Sequence, residues 1–294
     1  MNNNAAVKRK KDKQVHSQFA NAFRQFKRNK LAMICIIVFL LIVLACLFAD
    51  YLTPYEYDKI DIANRFASVS LKHPMGTDQF GRDLLTRLLK GGQVSLLVGI
   101  ASVALSAALG TVLGCSAAYF GGLYETIVMR IMDIFMSMPA LLLATAVATA
   151  LGTGIWNSII AIAIASLANI TRMMYSTALS VKNQEYLEAA HAYGASRIRC
   201  IFKYVIPNCF ASLLVMISMR FGTSITQVAS LSFLGLGVLP PTPEWGSILN
   251  AGKEFIRSYW PIVTFPGLFI AITLVCINFI GDGLRDALDP RLKR

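Results

Sequence analysis

Apolar positions in this chain run on rather than alternate with polar ones. Residues 31–49, 94–119 and 134–171 carry no charge at all. A helix needs about 20 such residues to cross a hydrocarbon core of about 30 Å. The first run is basic-flanked and N-terminal, as a signal peptide would be. It is long for an apolar h-region, and Phe48-Ala49-Asp50 is a poor small-x-small cleavage site, so it reads as a retained span. The 134–171 run is too long for one helix, and Gly152-Thr153-Gly154 divides it. Helices are therefore expected over 126–151 and 155–175. A fifth is expected over 208–236, between Pro207 and Gly235-Leu236-Gly237, and Pro240-Pro241-Thr242-Pro243 cannot continue it. A sixth is expected over 259–280, with Pro261 tolerated in its first turn and Pro266 kinking it. The predicted fold is an all-α membrane protein with six transmembrane helices.

Charge turns this pattern into an orientation. Hydrophobic residues make up 55% of the 294 and charged residues 15%, well under the roughly 25% of a soluble domain. Lys and Arg outnumber Asp and Glu by 28 to 16. The tail before Leu31 holds nine basic residues against Asp12, and the stretch 172–203 holds five against Glu185 and Glu188. Segments 50–90 and 244–257 each balance. The positive-inside rule then places both termini and the 172–203 loop in the cytoplasm. The basic excess sets topology and meets anionic lipid; no nucleic-acid recognition motif accompanies it. Phe19, Phe23 and Phe26 fall at i, i+4, i+7 among Lys and Arg, the pattern of a short interfacial helix after a basic tail. The chain divides into a basic tail with interfacial helix (1–30), a first span with an outer segment (31–91), and a transmembrane core (92–290).

Catalytic chemistry is missing from this pattern. His16, His73 and His191 are scattered over three regions and form no metal cluster. The six cysteines have no CxxC spacing and read as small apolar residues. No phosphate-binding Gly-x4-Gly-Lys-Ser/Thr loop occurs, since Gly252-Lys253 is followed by Glu254. Leu89-Lys90-Gly91-Gly92-Gln93 imitates an ATPase signature but sits on the outward side and opens a membrane helix. No enzyme activity, metal site or cofactor is expected of this chain.

The informative stretch is the loop from Gln184 to Arg197. Glu185 to Ala192 favours helix, Gly194 permits a sharp turn, and Pro207 starts the next span. Ala189, Ala190 and Gly194 allow close approach, and Glu188 offers a charge to a basic partner. An ordinary interfacial loop and a docking helix both fit these residues.

Glu188-Ala189-Ala190, then Gly194, then Pro207 resembles the EAA loop of ABC importer permeases, EAA-x3-G-x9-I-x-L-P. Tyr204 stands in place of its Ile and Ile206 in place of its Leu. His73-Pro74-Met75-Gly76-Thr77-Asp78-Gln79-Phe80-Gly81-Arg82-Asp83 is similar to the GTDxxGRD stretch of the dipeptide/oligopeptide/nickel subfamily. Ser232–Gly237, Pro240–Gly246 and Gly281–Pro290 are similar to that subfamily's "C" permease. The resemblance implies a type I ABC importer permease fold in a bacterial inner membrane. It implies that a coupling loop over about 182–203, with Glu185, Glu188, Ala189, Ala190, Gly194, Arg197 and Pro207, docks in a cytoplasmic ATPase. It also implies a second homologous permease, two ABC ATPase subunits that bind ATP and Mg, and an external solute-binding protein. Di- or oligopeptides are the implied cargo, with nickel or another metal chelate as the alternative. The outer motif residues Gly76, Thr77, Asp78, Gly81, Arg82 and Asp83 receive no role from it. Bottom-up, Thr77 or Asp78 can cap a short outer helix with Leu84, Leu85, Leu88 and Leu89 as its apolar stripe.

Arg220 near the middle of the fifth span is costly unless it faces protein or water. Either it pairs with another subunit or it lines the path and meets a substrate carboxylate, with Gln227 and Thr226 extending the polar face. A stand-alone secondary transporter or channel would instead show paired intramembrane acids or histidines and repeated halves, and neither pattern is present.

Overall fold

A computed structural model describes residues 24–288. Among these residues there are five helices long and apolar enough to cross a membrane, or six if one sharply bent pair counts as a single span. α1 is Lys30–Leu47, capped by Asn29, whose Oδ1 accepts from Ala32 N at 3.1 Å. Phe26, in the short helical stretch before it, lies beside Gly283. Phe19 and Phe23, the rest of the expected interfacial helix, lie outside the described residues, as does Asp289.

α2, Leu84–Phe120, corrects the second span. Its 37 residues extend about 55 Å at 1.5 Å per residue, so the expected short outer helix and the span are one element. Its cap is Asp83 rather than Thr77 or Asp78: Asp83 Oδ2 accepts from Thr86 N at 2.8 Å and Thr86 Oγ1 at 2.7 Å. The third span is likewise corrected. α3 (Gly122–Met136) and α4 (Ala140–Leu151) meet at 95°. Pro139 cannot continue a helix, and the uncharged run hid that break. α5, Ile155–Lys182, continues past the predicted end at 175 and runs alongside α2. There the helices come close at two glycines: a Cβ at Gly110 would lie 2.8 Å from Ile170 Cγ2, and one at Gly114 would lie 2.4 Å from Thr171 O. This small-xxx-small spacing lets membrane helices pack backbone to backbone.

α6 (Glu185–Ala192) and α7 (Arg197–Cys200) form the loop after α5. A π turn at Ile201–Val205 then leads into α8, Ile206–Phe233. Pro207 therefore sits early in α8, within one helical stretch from Arg197 to Phe233, and does not open a separate span. The wider π turn accommodates a residue with no N–H, and Asn208 Nδ2 takes up the Tyr204 carbonyl at 2.6 Å.

The stretch after α8, with its balanced charges and Pro240-Pro241-Thr242-Pro243, reads in the sequence as a loop. Instead α9, Trp245–Gly252, inserts as a short helix with Trp245 and Glu244 wholly buried. Trp245 Nε1 donates to Leu88 O at 2.9 Å, and a Cβ at Gly92 would lie 2.8 Å from the Trp245 ring. The Gly91-Gly92 pair that imitates an ATPase signature is thus the seat of α9. α10, Pro261–Leu288, closes the bundle with Pro266 inside it, packing against α8 and α1. Asp282, Arg285 and Asp286, close enough in sequence to pair at the end of this helix, form no ion pair among the described residues.

Candidate functional site

Two ends of the bundle carry the sequence-predicted residues. At one end, α2 and α5 finish beside the α6–α7 loop. Leu187 and Ala190 on α6 are buried with Met174, Cys200 and Val205. This anchors the inner stripe of α6 and leaves Glu185, Glu188 and Ala189 on the exposed stripe. The helix ends in a Schellman turn: Ala195 N donates to Ala190 O at 3.0 Å around Gly194 at φ +76°. A side chain at Gly194 would meet nothing within 4 Å, so glycine is needed there for its backbone conformation and not for space. Ser196 caps α7 through Arg199 N at 3.3 Å.

The outcome is an exposed concavity of about 430 Å³ lined by Ala189, Ala190, Gly194, Tyr186, Arg199 and Tyr204. A second, of about 380 Å³, lies between Glu188, Arg197, Lys182 and the Tyr119-Phe120 end of α2. Tyr193 is 93% exposed, and Ile198 and Phe202 are exposed beside it. Glu185, Glu188 and Arg197 are exposed with no ion pair among the described side chains. Small, apolar and unpaired charged groups thus share one protruding surface.

The other end holds the Gly76–Asp83 motif as a buried ionic knot. Asp78 Oδ1 accepts from Phe80 N at 2.8 Å and Arg82 N at 3.0 Å, and its Oδ2 meets Arg82 Nε at 2.7 Å and Arg87 Nε at 3.5 Å. Thr77 Oγ1 donates to Asn64 O and accepts from Ala67 N at 2.8 Å. Gly81, at φ +75°, lies so close to Asp61 that a Cβ would overlap the Asp61 carbonyl. Asp83 Oδ1 pairs with His73 Nδ1 at 2.8 Å, and the His73 ring stacks on Tyr55. Tyr259 OH donates to Ala67 O, so the knot also ties the 60–83 segment to the start of α10. All six motif residues are buried. They fold the segment rather than present a surface.

Within the bundle, Arg220 is half-buried and has no ion pair among the described residues. Thr223 and Thr226 follow on an exposed face of α8, and Gln227 Oε1 is buried there without a hydrogen-bond partner among the described residues. Ser224 leaves that face to bond Gly99 O at 3.2 Å, as a packing residue does. Sequence spacing puts Arg130 and Asp133 three apart, able to pair on one face of a helix, but it missed the third member of this second charged group. Arg172 was counted in the loop after α5, but it lies inside α5 and pairs with Asp133 of α3, which also meets Arg130 at 3.6 Å.

The sequence profile of the family described as "Binding-protein-dependent transport system inner membrane component" matches residues 110–294, and that of the "N-terminal TM domain of oligopeptide transport permease C" matches residues 17–74. The dipeptide transport system permease protein DppC of Alkalihalophilus pseudofirmus is 40% identical over 277 residues, covering 94% of this chain and 91% of that protein. The glutathione transport system permease protein GsiD of Escherichia coli is 40% identical over 284 residues, with 96% and 94% covered. The di/tripeptide transport system permease protein DppC of Pseudomonas aeruginosa is 41% identical over 282 residues, with 92% and 91% covered. Among solved structures, the MetNI methionine ABC transporter in inward-facing conformations matches with a TM-score of 0.55 at 19% identity, covering 69% of this chain and 96% of that one.

Proposed function

The chain belongs to the family of binding-protein-dependent transport system inner membrane components, as a "C" permease of the dipeptide/oligopeptide type, and from that membership we propose how its surfaces are used. It is a multi-pass inner-membrane permease subunit of an ABC importer. In the reading proposed, it forms half of a path for small peptides, the other half coming from a second homologous permease. Two cytoplasmic ATPase subunits bind and hydrolyse ATP with Mg, and this chain performs no catalysis. An external solute-binding protein delivers cargo. Both termini and the α6–α7 loop face the cytoplasm. The relatives are named for dipeptide, di/tripeptide and glutathione transport, which share a peptide-like solute.

The observation that carries this reading is the exposed surface around Gly194. Ala189, Ala190 and Gly194 leave a concavity that a partner can fill, and Glu188 and Arg197 beside it form no ion pair among the described residues. An ATPase groove that closes on ATP would pull this loop and, through the continuous helix from Arg197 to Phe233, move α8. Gly194→Trp in the complete importer is expected to leave ATP hydrolysis running while peptide uptake falls about tenfold or more, because bulk now occupies the docking surface. Gly194→Ala pays only the cost of the left-handed turn, about 1–2 kcal/mol, and should keep most of the uptake. Normal uptake in the tryptophan variant would overturn the coupling role. Reconstituted alone, the chain should show neither ATP hydrolysis nor transport.

Arg220 and Gln227 are proposed to line the path. An arginine in the hydrocarbon region that has no ion pair among the described residues needs water or a second protein. Arg220→Ala should lower uptake while the complex still assembles; loss of assembly would make the residue an intersubunit contact instead.

A further inference from the structure

A second charged group stands at depth in the bundle, next to a break in a helix. Arg172 lies ten residues before Lys182, where α5 ends, and Asp133 lies eleven residues after Gly122, where α3 begins. At 1.5 Å per residue each is about 15 Å of helix away from the loop end. Their side chains are nevertheless open: Arg172 is 46% exposed, Asp133 37% and Arg130 79%. Charge at that depth is not left against lipid. The bend at Ser137-Met138-Pro139 is exposed a few residues further along. Irregular backbone at membrane depth is tolerated only against protein or along a water-filled cavity, and broken helices of this kind build substrate sites in transporters. Exposed charge and exposed broken backbone are independent observations, and they fall at the same place.

We propose that Arg172, Asp133 and Arg130 form a polar station in the translocation path that exchanges its internal ion pair for the charged ends of a zwitterionic peptide. This rests on the reading of the chain as half of a peptide path. The peptide carboxylate meets Arg172, whose planar guanidinium can hold it through two parallel hydrogen bonds, and the ammonium meets Asp133. Arg130 leaves the group with one surplus positive charge, so the carboxylate end is drawn in first. In the empty station Arg172 and Asp133 satisfy each other, so the cargo replaces one pair by two of like kind. A passing solute is then admitted without being trapped, the condition for conduction.

The test uses the assembled importer with both permeases and its ATPases. Ser137→Cys leaves the ion pair intact, and the six native cysteines are all buried, so background labelling is low. A water-soluble cationic methanethiosulfonate should label Cys introduced at this position in the assembled complex, and excess dialanine should slow the reaction. An unlabelled site would mean that the face is closed by lipid or by the second permease, and would overturn the proposal. Arg172→Gln and Asp133→Asn should each lower uptake of radiolabelled dialanine about tenfold or more. The reciprocal exchange, Asp133→Arg with Arg172→Asp, rebuilds the pair and should restore assembly where a single variant loses it, yet leave uptake low. Recovery of uptake by the exchange would show a purely structural pair and overturn the proposal. A native complex that imports no dipeptide, with Ser137→Cys still labelled, would refute the peptide reading and the named cargo while leaving the face a water-filled one.

Discussion

Asp78→Ala is expected to prevent accumulation of the folded chain. The Asp78 carboxylate is almost wholly buried and takes two backbone amides and two guanidinium groups at once. Arg82 and Arg87 are themselves buried, so removing the acid strands two cations where water cannot reach them. Breaking a buried pair in this way costs about 3–5 kcal/mol. A domain is stable by only about 5–15 kcal/mol, so a loss of that size removes a large share of the whole. The measurement is the fraction of protein that stays monodisperse in mild detergent through a heating series. Asp78→Asn can keep the oxygen that takes both amides but turns an NH2 group toward the two guanidinium groups, and should fall between the two. Replacing the acid and both arginines by apolar residues of similar volume should be milder than Asp78→Ala, because no buried charge is then left alone. If Asp78→Ala matched the native protein, the knot would be a surface ornament rather than the fold of the outer segment.

The same knot explains where the sequence was readable and where it was not. Uncharged runs announce spans, so α1, α5 and α10 were legible to within a few residues at one end. α2 was not, because Arg87 and Lys90 interrupt its hydropathy and suggest an interface. Arg87 is instead neutralised by Asp78 across the segment, and Lys90 by Asp50 at the end of the first span. Those partners lie 9 and 40 residues away, beyond the reach of any periodicity. The break at Pro139 did have a local signal, a proline inside an apolar run, but the stronger Gly152-Thr153-Gly154 signal overshadowed it. The Asp133–Arg172 pair was hidden by the charge count: Arg172 falls within the last turn of the predicted helix 155–175, yet it was pooled with the loop after it, where its charge looked topological. The α6–α7 loop was the most legible part. Helix propensity, a turn glycine and a following proline all act locally, and the folded loop keeps that order.

Glu244 is where local reasoning failed most completely, and it carries the second large effect. In a count of outer-loop charges it balances a lysine or an arginine. In the fold it is wholly buried at the start of α9. Ser95 Oγ donates to its Oε1 at 2.8 Å and Ser247 N to its Oε2 at 2.9 Å, while Glu244 N returns a bond to Ser247 Oγ at 3.1 Å, a reciprocal cap. Ser95 Oγ also accepts from Trp245 N at 3.2 Å, so one carboxylate sets both the inserted helix and its contact with α2. Glu244→Ala leaves the buried Ser95 hydroxyl without its acceptor, at about 1–3 kcal/mol, uncaps the half-buried Ser247 amide, and opens a cavity beside Trp245. The expected result is a chain whose α9 no longer holds α2 to α8: a lower unfolding temperature in detergent and faster proteolysis of the segment between α8 and α10. Burial pushes the Glu244 carboxyl above its ordinary range, with the surrounding donors pulling the other way. The folded protein therefore keeps its proton at a pH where the unfolded chain has lost it. Stability from this group is fully present below the ordinary glutamate range and declines as pH rises through the raised value. Glu244→Gln cannot ionise. It loses one acceptor but escapes that decline, so its unfolding temperature should lie below the native one at low pH and approach it as pH rises. Parallel curves for the two proteins across that range would show that Glu244 is ionised throughout and that the surrounding donors outweigh its burial.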